Sequence, residues 1–178
     1  GEAGVGYIMR EGFDLPPLMF NKGEIAALIV GARMVQAWGG AQMAKAAEEA
    51  LTKIEAVLPE TERAIARDVP IHAFDSLHSS DVRRRLDLIN EAIAKRQVIH
   101  VDYEDGDASK TTRALEPLGL HYWGSKWTLI AWCQLRQDYR MFRVDRFANV
   151  ALAGDVFTIS ATKNIRNYYE SVAEAEGM

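Results

Sequence analysis

The apolar positions between residues 21 and 58 follow the spacing of two amphipathic helices. The first helix is predicted to begin near Asn21, which is a good N-cap and has Glu24 three residues further on. Gly39 and Gly40 interrupt this pattern, and a second apolar stripe follows them. We therefore predict a helical hairpin whose apolar face must be covered by another surface.

A third amphipathic helix is predicted from about Asp81 to Arg96, and after it the apolar period changes to two. This alternation predicts six short strands, at about Val98–Tyr103, Lys110–Glu116, Leu118–Trp123, Lys126–Cys133, Tyr139–Val144 and Asn149–Leu152. They occupy about 55 residues, which is too few for a two-sheet sandwich and suits a small closed barrel. A short terminal helix is predicted over Ile165–Glu174. The predicted fold class is therefore α+β: a helical hairpin and a linker helix, followed by a small β-barrel.

Two stretches are predicted to be mostly irregular. Gly6–Arg10 has the pattern of one short strand, after which Pro16 and Pro17 end regular structure. Because a single strand does not fold alone, we expect its partner upstream of this chain. Residues 59–80 are predicted to form a crossing loop, with one short strand around Ile71–Phe74.

Charge is distributed unevenly along the chain. The formal net charge is −4, which argues against a general polyanion binder. Residues 1–80 carry 7 basic and 11 acidic side chains, whereas residues 108–147 carry 7 basic and 3 acidic ones. The local excess in the second region suits an anionic ligand, and the alternative is a solvated basic face. The run from Arg83 to Arg85 is distributed around the third helix, which indicates a solvated face there too.

Motifs for catalysis and cofactor binding are absent from the sequence. It contains no GxSxG, glycine-rich phosphate loop or HExxH, so we expect neither an enzyme nor a cofactor. His72 and His78 could meet Asp75 at a metal ion, but they lack typical ligand spacing, so no metal is expected. The lone Cys133 lies in an apolar run, which indicates a buried thiol. One cysteine, and no apolar run of bilayer-spanning length, predict a cytoplasmic protein without membrane contact.

The most specific pattern lies between Glu116 and Phe147. It contains Trp127-Thr128-Leu129 after a glycine-containing turn, and then a strand of the type RxFRxDR from Arg140 to Arg146. In this order the motifs resemble the WYL-domain family of bacterial transcription regulators, although Thr128 stands where the family has tyrosine. Other features in the family's order extend the resemblance to nearly the whole chain: Gly6, Tyr7, the stretch Leu15–Leu18, Tyr103, Arg113 and Pro117.

The resemblance implies a one-component regulator. In such a protein an N-terminal winged helix-turn-helix of the DeoR type binds promoter DNA, and an SH3/Sm-like barrel senses a nucleic-acid or nucleotide-like effector. On this interpretation the chain holds the sensor without the DNA-reading domain. The alternative is a barrel that binds a small molecule or a protein and is unrelated to transcription. The predicted segments are the end of the wing and its linker (1–20), the dimerising hairpin region (21–80), the barrel with its leading helix (81–160) and the C-terminal helix (161–178).

The candidate ligand site lies on the arginine-rich strand. Alternation places Phe142 toward the core and Arg143 on the opposite face, with Arg140 and Arg146 on the core parity at the strand ends. Guanidinium groups bind phosphate, and aromatic rings stack on bases. The predicted ligand-binding residues are Tyr103, His121, Tyr122, Arg140, Arg143 and Arg146. The alternative for Arg143 or Arg146 is a structural pair with Asp145, Asp138 or Glu116.

Two further predictions concern packing. Trp123, Trp127 and Trp132, like Phe142, are expected in the barrel core because they lie within predicted strands. The hairpin has more apolar surface than one small barrel can cover, so we expect it to form a homodimer, with Trp38 near its turn. A two-fold regulator also matches operators with two half-sites.

Overall fold

The computed structural model describes residues 18–60, 63, 79–106, 109–124 and 126–176. Several predictions concern residues outside these ranges: the strand Gly6–Arg10, the prolines Pro16 and Pro17, the strand around Ile71–Phe74, and the possible metal ligands His72, Asp75 and His78. In the described part of the chain, no helix is long and apolar enough to cross a membrane.

The predicted hairpin is present as α1 (Lys22–Trp38) and α2 (Ala41–Val57). The capping box is complete: the Glu24 amide donates to the Asn21 side chain at 3.0 Å, and the Asn21 amide donates to the Glu24 carboxylate at 2.8 Å. Ile29 and Leu58 are buried between the helices, with three partly buried residues packed against them, namely Ile25, Leu51 and Ile54. Much of the apolar surface that was predicted to form a dimer contact thus packs between the two helices of the hairpin.

The rest of the chain is α3 (Ser80–Lys95), five antiparallel strands and α4 (Ile165–Glu176). The strands are β1 (Gln97–Glu104), β2 (Lys110–Tyr122), β3 (Trp127–Cys133), β4 (Asp138–Arg143) and β5 (Phe147–Val156), in the order β4-β3-β2-β1-β5. The second and third predicted strands are one long strand, because a register shift between Pro117 and Gly119 lets β2 continue past the proline. The α+β class is therefore confirmed.

The closed barrel is not confirmed, because β4 and β5 are the two edges of the described sheet and no pairing joins them. Only the short 3₁₀ turn Val144–Arg146 separates these strands along the chain. Four residue steps span at most about 14 Å, so the edges are held near each other at that end. The rings of Phe142 and Phe147 approach to 6.2 Å there. The sheet is therefore curled at this end, and it stays open.

The two faces of the sheet are covered by different elements. On the inner face α3 packs its stripe of Val82, Leu86, Ile89 and Ala92 onto the main core. Phe142 and Cys133 are buried in this core, as predicted. On the outer face lie α4 and the segment before it, where Ile165 comes so close to Gly119 that an added Cβ would meet its Cδ1 at 3.2 Å.

The tryptophans follow the core prediction only in part. Trp127 is half-buried and packs against the main core, and Trp132 is half-buried on the outer face against Tyr139. The prediction for Trp123 is wrong, since this residue is 63% exposed. It follows the last residue of β2 at a turn, where its ring meets only the edge of His121 among the described aromatic rings, and its indole N–H donates to the Thr128 hydroxyl at 2.9 Å.

Candidate anion-binding site

The strand register decides which arginines share a face. Arg140 on β4 is opposite Ala131, and Phe142 is opposite Leu129, so Arg140 lies on the inner face with the core residues. On β2, Arg113 is opposite the buried Val101, which places it on the same inner face. Two strands therefore bring basic side chains to one end of the inner face.

These side chains line a pocket of about 440 Å³. Its walls are Arg113, Arg136 and Arg140, and its apolar part is formed by Cys133 and Phe142. Arg136 comes from the turn between β3 and β4, so three separate segments supply the three guanidinium groups. The pocket thus combines converging cations with a buried apolar floor, and its lining is richer in charge than that of most small-molecule sites.

The positive charge of this pocket is mostly uncompensated. Arg140 forms an ion pair with Asp138 at 3.2 Å, but both side chains are more than half exposed. Such exposed pairs contribute little to stability and are readily exchanged. In the described part of the chain, Arg113 and Arg136 have no acidic partner within ion-pair distance. Three cations and one exposed carboxylate leave the pocket able to bind an anion, and guanidinium groups bind phosphate or carboxylate in a bidentate geometry.

Arg143 lies on the outer face and is engaged by its own strand end. Its Nε and Nη2 donate to the two carboxylate oxygens of Asp145 at 3.1 and 2.6 Å, and Lys126 approaches the same carboxylate at 3.3 Å. The hydrogen bond from Arg143, with that from Lys126, lowers the pKa of Asp145 to about 2, and the same bond raises the pKa of Arg143. Arg143 therefore forms a structural pair with Asp145, which was the alternative to ligand binding for this residue.

Arg146 is separated from Arg140 and Arg143. It lies in the 3₁₀ turn and reaches the β1–β2 turn, where an added Cβ on Gly106 would stand 3.8 Å from its Nη1. It lines a different pocket, of about 400 Å³, whose other charged residues are Arg85, Glu104, Asp105 and Asp145. The mixed charge of that pocket does not favour an anion.

The predicted aromatic residues occupy three different places. Tyr103 contacts Phe142 and Phe147 edge-on, at 5.1 and 5.6 Å, so its ring belongs to the core. His121 lies on the outer face, where it stacks on Tyr169 of α4 and hydrogen-bonds to that hydroxyl. The structure therefore does not bring the six predicted residues to one site, and their role in binding stays a prediction.

Tyr122 connects the sheet to the helical hairpin. Its ring stacks on Trp38, the last residue of α1, at 5.2 Å, and contacts Trp127 at 5.0 Å. Burial raises the pKa of Tyr122. Trp127 in turn donates its indole N–H to the Trp38 carbonyl at 2.8 Å. The side chain that we assigned to a ligand is thus used in an intramolecular contact.

Arg113 and Arg136 were not among the predicted site residues. Arg113 lies on the same side of β2 as the buried Leu115, as strand alternation predicts. The sequence does not show that Arg113 shares a pocket with β4 residues, because this depends on how β2 pairs with its neighbours. Arg136 lies in a turn, where alternation gives no direction. Among the described residues, no cluster of three potential metal ligands is present.

Comparison with known families matches residues 84–152 to the model of the WYL domain. A WYL domain is therefore present over most of α3 and the five strands. The resemblance expected for nearly the whole chain is confirmed for this stretch, and the DeoR-type winged helix is not.

Among the solved structures that the chain resembles is proteasome accessory factor B/C (PafBC) of Arthrobacter aurescens. The two are 24% identical, with a TM-score of 0.45, and the match covers 83% of this chain and 23% of PafBC. Because the chain spans less than a quarter of that protein, the activity of a whole regulator is a proposal for this chain.

Proposed function

We propose that this chain is the effector-sensing part of a bacterial transcription regulator, and that its WYL domain binds a nucleotide-like or nucleic-acid ligand through phosphate. The observation that carries the proposal is the pocket lined by Arg113, Arg136 and Arg140. Its arginines come from three segments and converge on one space, whereas a solvated basic face would leave them dispersed. The role is regulatory and not catalytic.

The proposal revises the set of predicted ligand-binding residues. Arg140 remains in it, and Arg113 and Arg136 join it because they share its pocket. Arg143 is bound to Asp145, so it contributes mainly to the structure of β4 and the turn that follows. The phosphate of a ligand would replace Asp138 as the partner of Arg140.

The wider architecture is part of the same proposal. A homodimer would use the exposed surface that remains on the hairpin, which includes Leu28 and Met34 of α1 and Met43 of α2. A DNA-reading domain would lie N-terminal to α1, and the protein would act in the cytoplasm. We describe the curled sheet as an open form of an SH3/Sm-like barrel. The division of the chain into the four predicted segments also remains part of the proposal.

Fluorescence anisotropy with a 5′-phosphorylated, dye-labelled single-stranded oligonucleotide tests this proposal. Arg113→Gln, Arg136→Gln and Arg140→Gln should each weaken binding about tenfold or more, because a hydrogen bond to a charged group contributes about 1.5–3 kcal/mol. Arg143→Gln is the matched control, since it removes the same charge on the outer face, and its affinity should stay within about threefold of wild type. Affinity should also fall steeply with salt.

The possible results of this titration distinguish between different modes of binding. Equal losses in Arg143→Gln and the pocket variants would show that only overall charge matters, and would remove the pocket as the site. Competition by ATP as well as by the unlabelled oligonucleotide would indicate a nucleotide-sized ligand. Absence of binding to both probes would contradict the phosphate proposal and favour the alternative, a small-molecule or protein-binding module unrelated to transcription.

A further inference from the structure

The turn of the helical hairpin is contacted by a side chain that the sequence pattern assigned to solvent. Arg83, on the first turns of α3, donates to the carbonyl oxygens of Ala37 at 2.7 Å, Gln36 at 3.0 Å and Gly39 at 3.4 Å. These carbonyls are at the C-terminal end of α1, where the last four lack partners within the helix and the dipole is negative. The solvated-face interpretation of the arginine run is therefore wrong for Arg83.

One helical turn further along α3, Asp87 binds the start of α2. The amide of Gln42 donates to both Asp87 carboxylate oxygens, at 3.2 and 3.3 Å. The N-cap of α2 is Gly40, which provides no side-chain cap, so a carboxylate from another helix takes that role. The fit is close: a Cβ on Gly40 would stand 2.2 Å from the Asp87 carboxylate.

A third contact comes from the sheet. Trp127, at the start of β3, donates its indole N–H to the Trp38 carbonyl, and Tyr122 stacks on the Trp38 ring. The last turn of α1 is therefore held from two directions, by α3 and by the β2–β3 strand ends. We name Arg83, Asp87 and Trp127 the hairpin clamp.

We propose that the hairpin clamp fixes the orientation of the α1–α2 hairpin relative to the WYL domain. Arg83 and Asp87 are four residues apart, so they lie on one face of α3 and meet the two helix ends together. Their charges match the two dipoles: the cation meets the C-terminal end of α1, and the anion meets the N-terminal end of α2. A shift of α3 or of the β2–β3 end would therefore move α1. The clamp residues are positioning residues, and this inference is independent of any ligand.

Hydrogen–deuterium exchange on the full chain tests the clamp with two matched pairs of variants. Arg83→Met removes the cap on α1, while Arg84→Met changes an exposed neighbour that pairs only with Asp81 among the described residues. Gly40→Ala displaces Asp87, while Gly31→Ala adds a methyl group with nothing within 4 Å. We expect amides of residues 36–44 to exchange at least about tenfold faster in the two clamp variants, with β3 amides unchanged and no acceleration in either control, since Gly31→Ala favours the helix.

A distance measurement tests orientation directly. Spin labels at Glu49→Cys on α2 and Asp155→Cys on β5 should give a narrow distance distribution in the parent protein and in Arg84→Met, and a broad one in Arg83→Met and Gly40→Ala. Unchanged exchange and an unchanged distribution in both clamp variants would overturn the proposal. Equal acceleration in β3 would overturn it as well, because the contacts would then belong to the global core rather than to a local clamp.

Discussion

The two faces of the sheet differ in how their basic side chains are paired. On the outer face two ion pairs lie against the sheet: Arg143 with Asp145, and Lys163 with Glu116 at 2.6 Å. On the inner face the core ends at a pocket whose arginines have one exposed acidic neighbour among the described residues. The charges of these two outer-face pairs are therefore structural, whereas the arginines of the inner-face pocket are largely uncompensated.

This difference follows from what covers each face. The outer face is covered by the C-terminal segment, whose Lys163 and Tyr169 reach back to polar groups on β2. The inner face is covered by α3 only where its stripe is apolar, so the pocket at the end of β4 is left uncovered. Adjacent residues of one strand can consequently have different roles, and β4 offers the clearest test.

The largest effect is expected on the inner face of β4. Phe142 is 7% exposed within the main core, so Phe142→Ala should lower the free energy of unfolding by about 3–5 kcal/mol. Met141, its neighbour on the outer face, is 51% exposed, and Met141→Ala should change it by less than about 1 kcal/mol. Urea unfolding of both variants measures the difference, and similar losses would show that the faces are not distinct.

The outer face should show its largest effect at the buried ion pair. Glu116 is 5% exposed, and Lys163→Met would leave its carboxylate buried without its cation. We expect a loss of about 3 kcal/mol in the free energy of unfolding. The double variant Lys163→Met with Glu116→Gln should recover most of this loss in the same urea measurement. A single variant as stable as wild type would argue that Lys163 does not compensate Glu116.

The elements that sequence predicted well are those set by local pattern. The capping box at Asn21, the glycine turn and the core position of Phe142 depend on spacing along the chain, and all three are present. The curled but open sheet, and the merging of two predicted strands across Pro117, depend on pairing that spacing does not contain.

The candidate site was less predictable for the same reason. Strand parity correctly separated Arg140 from Arg143, but parity does not say which strand lies beside β4. Arg113 reaches the pocket through the strand order, and Arg136 through a turn. Arg83 looked solvated because the helix end that it caps is more than 40 residues away along the chain.

A smaller effect is expected at the paired charges after β4, and it depends on pH. The pKa of Asp145 is lowered from 3.8 to about 2 by Arg143, so the stabilisation is complete above about pH 5 and is lost as pH falls toward 2. Partial exposure limits it to about 1 kcal/mol. Unfolding of wild type and Asp145→Asn should therefore differ at pH 6 and converge near pH 2. With Arg143→Met as background, the pH dependence of this difference should shrink, and a constant difference would contradict the pairing.

The smallest effect should come from the hydrogen bond between His121 and Tyr169. The Tyr169 hydroxyl bonds to His121 Nε2, but Tyr169 is 48% exposed, so water can replace the bond when it is lost. Tyr169→Phe keeps the stacked rings and removes only the hydroxyl, and we expect a loss of about 0.5 kcal/mol in the free energy of unfolding. Tyr169→Ala also removes the stacking and should cost about 1 kcal/mol more. If Tyr169→Phe costs as much as Lys163→Met, the outer face depends on this hydrogen bond rather than on its buried ion pair.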